Sequence, residues 1–224
     1  MTSFWRQALV VGKKDLTLEG RSREAIAIAT PFALVALLIF PLALDNDRAT
    51  LRSVGFGGFW TVIVVFGLLV AGRQTAVDGP AQRDLLALSG LDPAAGFTGR
   101  VMASTVLVFI LQVVAGLITV VFYDLDPVQR WALWPVLALL VALALAQLGA
   151  LAAAITWGLK TRTVLAPLLV VPLAIPVVIA GSAGTSSLIS GSSILAAIVI
   201  LMIVNLVLGV VGVLTASTLE EFGR

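Results

Sequence analysis

Apolar residues run through the chain in six long blocks, and the short stretches between them hold almost all of the charge. The blocks are Ala25–Leu44, Phe56–Gly72, Gly99–Phe122, Trp131–Gly158, Val164–Gly181 and Ser192–Leu214. A helix rises 1.5 Å per residue, so about twenty residues cross a hydrocarbon core of roughly 30 Å. No block alternates apolar and polar positions as a half-buried strand would, and backbone polar groups cannot be left bare in lipid. The pattern predicts an all-α, polytopic membrane protein with six transmembrane helices. The second block is marginal in length, and the fourth is long enough to tilt.

Two other stretches have patterns of their own. In residues 3–20, SFWRQALVVGKKDLTLEG, a helical wheel gathers Trp5, Leu9, Gly12 and Leu16, with Phe4, Val11 and Leu18 to one side. Arg6, Gln7, Lys13 and Lys14 take the opposite arc. This predicts an interfacial amphipathic helix, because Phe4 and Trp5 are costly to leave in water and the basic arc suits headgroups. Asp15 and Glu19 interrupt the apolar arc near its end, where a bend is expected.

The second stretch, residues 73–98, is a polar insert between the second and third blocks. Asp78 is a good N-cap, Gly79 and Pro80 are tolerated in a first turn, and Gly90 suits a stop just past the helix. Between them Ala81, Leu85 and Leu88 share a face, with Arg83 and Asp84 off it. Asp92 then caps a new helix with Pro93 at its first position. From Pro93 to Phe122 is about 45 Å of helix, longer than a bilayer requires, so the third span is expected to project beyond the membrane with the short helix at its tip. So short a helix needs something to pack on. The headgroup surface and a soluble partner protein are the two options.

Charge sets the orientation. With the amino terminus inside, inner segments hold Arg6, Lys13, Lys14, Arg21, Arg23, Arg73, Arg83, Arg100, Lys160, Arg162 and Arg224, and outer loops hold Arg48, Arg52 and Arg130. Basic residues favour the cytoplasmic side, so both termini and the 73–98 insert are expected there. A cleavable signal peptide is disfavoured, because the first block is long, contains Pro31 and Pro41, and ends in LDNDR instead of a small-residue cleavage site.

Composition narrows the chemistry. The mean hydropathy is +1.11 and charged residues make up 12% of the 224 positions, about half the share in globular domains. Cysteine and histidine are both absent, which excludes disulfides, thiolate chemistry and a histidine relay. DGPAQR superficially matches the aspartate motif of membrane CDP-alcohol phosphotransferases. Thr75 and Gln82 break the match, and too few carboxylates follow to hold a metal pair. GLKT at Gly158–Thr161 lacks the glycines and the strand–loop–helix context of a phosphate-binding loop. No ATPase motif is present, no catalytic, metal or cofactor-binding residue is assigned, and nothing points to nucleic acid.

In the interior of the spans no Asp, Glu, Lys or Arg occurs, which argues against an ion-coupled carrier or channel. Gln112, Gln147 and Asn205 lie at depth and are expected to bond neighbouring helices. Ala138, Ala142, Ala146, Ala150 and Ala154 repeat every four residues, a ridge for close helix packing either within the subunit or across a dimer. Pro167, Pro172 and Pro176 place hinges or kinks in the fifth span. The SAGTSSLISG stretch after it is expected to be a polar loop able to fold back into the outer leaflet.

The order of these parts resembles ABC-2-type exporter permeases, and within them the CcmB family, haem exporter protein B of cytochrome c maturation. The stretches that carry the resemblance are FWRQALVVGKKDL, TPFALVALLIFPLAL, DGPAQRDLLALSGLDPAAGFTGRVMAS with Arg100 as its basic residue, and GLKTRTVLAPLLVVPLAIPVVIAG. It covers essentially the whole chain, as a single permease domain. One departure is Gly72 before Arg73, where the family often has an acidic residue, which removes a local ion pair.

The resemblance implies a bacterial inner-membrane permease homodimer on a CcmA-like ATPase dimer, with CcmC, CcmD and the haem chaperone CcmE as partners and ATP and Mg on the ATPase. The segment between spans two and three would be the coupling helix, with Arg73, Asp78, Gly79, Arg83, Asp84, Leu85, Leu86, Leu88 and Gly90 as its ATPase interface. Phe4, Trp5, Leu9, Lys13, Lys14 and Leu16 would brace it at the lipid surface. Haem would be handled by the complex, since this chain offers only Met1, Met102, Met202 and Tyr123 as weak iron ligands. The alternatives are an ABC-2 permease for a lipid, glycan or drug, and a membrane scaffold with no ATPase.

Overall fold

The computed structural model describes residues 3–43, 47–76, 90–125, 131–155 and 162–222. They form seven α-helices: α1 (Phe4–Ser22), α2 (Glu24–Ala43), α3 (Arg48–Ala76), α4 (Pro93–Phe122), α5 (Trp134–Ile155, after a 3-10 turn at Trp131–Leu133), α6 (Arg162–Ser190) and α7 (Leu195–Phe222). Six of them, α2 to α7, are long and apolar enough to cross a membrane.

Four of the long helices, α3, α4, α6 and α7, pack around α5, and α2 packs on α3 and α4. In its apolar window 78% of residues are buried, against 28% in α2 and in α7. This decides the role of the alanine ridge. Ala138, Ala142, Ala146 and Ala150 are buried among neighbouring helices of the same chain, and Ala154 is half-buried. Small side chains at four-residue spacing let backbones approach closely, and Gly149 shows how closely. A Cβ there would come within 2.5 Å of Ala71 Cβ on α3. The buried face of α2 carries a second stripe at the same spacing, Ala25, Ala29 and Ala33, continued by Leu37 and Pro41.

Several boundaries differ from the hydropathy reading. The α3 helix begins at Arg48, eight residues before the apolar block, because Asp47 caps it. Its carboxylate accepts from the Thr50 amide (3.1 Å), and Arg52 reaches Asp124 at the end of α4 (3.0 Å). The supposed loop after the fifth span is helical, and α6 continues unbroken to Ser190. Its small residues are packing positions: Gly181 lies against the Trp60 ring, Gly184 against Leu137, and Thr185 accepts a hydrogen bond from Trp60 Nε1 (3.0 Å). The assignment of α6 is also continuous through Pro167, Pro172 and Pro176. The thirty residues of α4 match the cap-based expectation, with Asp92 Oδ1 accepting from the Ala94 amide (2.9 Å) and Pro93 in the first turn.

Candidate functional site at the helix corner

At one end of the bundle, α1 lies against the start of α4, and the beginnings and ends of four helices meet there. The contact is between backbones. A Cβ on Gly99 would sit 2.5 Å from the Ala8 carbonyl oxygen and 2.8 Å from Val11 Cβ, and one on Gly12 would sit 3.0 Å from the Gly99 carbonyl oxygen. Only glycine fits on both sides. Gln7 Oε1 accepts from the Asp92 amide (2.9 Å), so α1 also holds the residue that caps α4.

This geometry corrects the expected faces of α1. Gly12 belongs to the packed face with Ala8, Val11, Asp15 and Glu19, not to the apolar arc. Trp5 and Leu9 are exposed, at 65% and 56%, and Leu16 is partly buried against the main core. Phe4 is half-buried with its ring edge-on to Trp5. Lys13 is exposed and Lys14 half-buried, pairing with Asp15 (3.0 Å). The helix therefore has three faces: one packed on the bundle, one apolar and exposed, and one basic.

The helix is not interrupted at Asp15 and Glu19, and α1 runs on to Ser22. Both carboxylates point into the corner. Glu19 Oε1 accepts from the Ile26 amide (3.0 Å), capping the first turn of α2, where an acceptor satisfies an otherwise orphaned donor. Arg23, in the left-handed region (φ 53°), makes the turn between the helices. Arg73, near the end of α3, pairs with Glu24 at the start of α2 (3.3 Å). The ion pair that Gly72 removed locally is thus supplied by another helix.

Within this corner, Arg73 and Gly90 flank the predicted coupling segment, and Gly90 has the positive φ (69°) expected of a helix stop. Asp78, Gly79, Arg83, Asp84, Leu85, Leu86 and Leu88 lie outside the described residues.

The span interiors hold little chemistry. Among the described residues no cluster of acidic side chains could hold a metal. Tyr123 is buried and its hydroxyl donates to the Leu37 carbonyl (2.8 Å). Met102 and Met202 lie apart on the exposed surface of the bundle, and Met1 is outside the described residues. Of the three deep amides, only Asn205 bonds a neighbouring helix, donating to the Leu140 carbonyl (3.0 Å). The expectation fails for Gln112, where neither amide atom has a partner, and the carbonyl of Gln147 has none either. Each is enclosed by apolar or small side chains.

A bundle of six apolar helices with a welded, basic-faced helix at one end defines a multi-pass membrane protein whose organised polar site lies at the edge of the membrane domain. The profile of the CcmB protein family matches residues 6–220, and the chain belongs to that family, the haem-exporter permeases of cytochrome c biogenesis. It is similar to Heme exporter protein B of Paracoccus denitrificans (strain Pd 1222), with 27% identity over 195 residues, 86% of this chain and 88% of that protein. It is also similar to Heme exporter protein B of Rhodobacter capsulatus, with 29% identity over 171 residues, 75% of this chain and 78% of that protein.

Proposed function

We propose that this chain is the membrane subunit of an ABC complex in cytochrome c maturation, with its amino terminus cytoplasmic. In this reading a separate CcmA-like ATPase dimer binds ATP and Mg and docks on residues 73–90 of a permease homodimer. Its closure displaces α4 together with α1. The complex, with CcmC, CcmD and the chaperone CcmE, handles haem or releases the loaded chaperone. The observation that carries this reading is the corner: α1, the cap of α4, the start of α2 and the end of α3 are tied together on either side of the candidate docking segment. A push on that segment would therefore be delivered to three spans at once. The exposed Trp5 and Leu9 beside a basic face suit a helix lying in the headgroup region.

The mechanical role agrees with the donor inventory, since no imidazole or thiolate is present to bind iron. The test is co-purification of the ATPase with the full chain carrying Leu85→Glu and Leu88→Glu. Loss of the ATPase with the permease still inserted is the expected result. Retention of a full complement of ATPase would sink the docking assignment.

A further inference from the structure

The junction of α4, α5 and α7 begins, at the α1 end, as a dry cluster. Phe97 and Val101 pack with Ala146 and Ala150, flanked by Val213. One turn further along α4 the lining becomes polar. Ser104 follows Val101 by three residues on the same helical side. Gln147 adjoins Ala146, and its Nε2 lies 3.3 Å from where a Cβ on Gly209 of α7 would stand. Asn205 sits one turn before Gly209, and its Nδ2 donates to the carbonyls of Leu140 (3.0 Å) and Leu201 (2.8 Å). Ser104, Gln147 and Asn205 are 0%, 8% and 7% exposed. Ser104 Oγ, Gln147 Oε1 and Asn205 Oδ1 have no hydrogen-bonding partner in the chain.

The deficit has a definite chemistry. Amide oxygens only accept, and a serine hydroxyl offers one proton. Asn205 spends its amide protons on the Leu140 and Leu201 carbonyls, which leaves the Ser104 hydroxyl and the Gln147 amide as donors, and neither reaches one of these acceptors. The three oxygens are neutral and Arg100 stands one turn before Ser104 on the same helix, so a cation would find no compensating charge there. A water molecule offers two protons and accepts from the hydroxyl, and buried waters typically make about three bonds to otherwise unsatisfied groups. We propose that the junction of α4, α5 and α7 is a buried hydration site, in which ordered waters donate to Gln147 Oε1 and Asn205 Oδ1 and accept from the Ser104 hydroxyl. This site does not depend on the ATPase reading. It joins α4 to the carboxy-terminal half of the bundle through a mobile ligand, so a shift of α4 re-forms these bonds instead of stranding them.

Gln112 serves as the internal contrast. It lies one turn from Val108, which faces Gly67 and Leu145, and one turn from Gly116, which faces Phe59 and Trp134. It is an isolated amide in an apolar groove and would give a water too few partners.

The test uses the full chain, purified in detergent. Radiolytic hydroxyl-radical footprinting generates radicals from waters in place, and mass spectrometry reads the labelled side chains. Leu201, fully buried, and Leu143, half-buried, should both be labelled, whereas Leu111 beside Gln112 should not. Labelling of Leu201 and Leu143 should fall several-fold in Gln147→Met. Ser104→Ala and Gln147→Met should each lower Tm by about 2–4 °C, and the double variant should lose less than the sum. Unlabelled Leu201 and Leu143 in the wild-type chain, or a rise in Tm on removing either polar group, would overturn the proposal.

Discussion

The α3 and α4 helices lie side by side along α5, yet they are held in different ways. The α3 helix is fixed by direct contacts at mid-span: Trp60 is fully buried, donates to Thr185 on α6, and its ring covers Gly181. Ala71 meets Gly149 with no room for a side chain. The α4 helix is fixed at its ends. Gly99 is welded to α1, Asp92 is held by Gln7, and Tyr123 ties the far end to α2. Along its middle, Ser104 and Gln112 make no bond within the chain. The middle of α4 is held instead by apolar packing, with Leu107, Val108, Leu111 and Ala115 in the main core and no side-chain hydrogen bond from Ser104 or Gln112 to another helix. A helix held along its middle by apolar contacts, which have no preferred direction, can shift more readily than one held there by a directed hydrogen bond. A helix latched at mid-span is suited to stay.

The comparison breaks first at Trp60. Trp60→Ala should cost about 3–5 kcal/mol, from lost apolar burial and the cavity left behind, read as a fall in the thermal midpoint of the detergent-solubilised chain. A loss under about 1 kcal/mol would mean that α3 is not latched there. Gln112→Leu should act in the opposite direction, raising stability by about 1–3 kcal/mol in the same assay, because it removes an unpaired amide from an apolar groove. Destabilisation would show that Gln112 has a partner and that the middle of α4 is held by more than apolar packing.

The smallest effect belongs to the cap of α3. Hydrogen bonds from the Thr50 hydroxyl, and then from the Thr50 amide, hold the Asp47 carboxyl below its ordinary value. Its folded-state pKa is depressed, so the cap stabilises the first turn above the unfolded value, roughly pH 4, and is lost as the pH falls through the lower folded value. Hydrogen exchange at the Thr50 amide should be slower in the wild type than in Asp47→Ala at pH 6, and that difference should shrink with acidification below pH 4. A constant difference would remove the carboxylate from the cap.

Much of this was legible because lipid imposes simple rules. Length and hydropathy yield six helices, since only a helix hides its own backbone in hydrocarbon. The cap of α4 was readable from Asp92 and Pro93, where the local chemistry decides the boundary. Reading failed where a residue's role depends on a distant neighbour. Gly181, Gly184 and Thr185 resemble a loop until Trp60 and Leu137 are set against them. Asp15 and Glu19 look like defects in an amphipathic arc until the corner gives Glu19 the Ile26 amide to cap. Gln7 counts as one polar residue among several until Asp92 meets it across 85 positions.

The sequence by itself determined the class, the helix count, the sidedness expected from its basic residues, and a side-chain inventory with neither imidazole nor thiolate. Each follows from composition or from contacts within a turn or two. Only the tertiary structure decided that the alanine ridge is spent inside the subunit, that Gly12 and Gly99 join α1 to α4, and that the amides at depth differ in their bonding. The physical reason is that periodicity shows which face of a helix is apolar, whereas close approach and hydrogen-bond satisfaction are properties of two surfaces brought together.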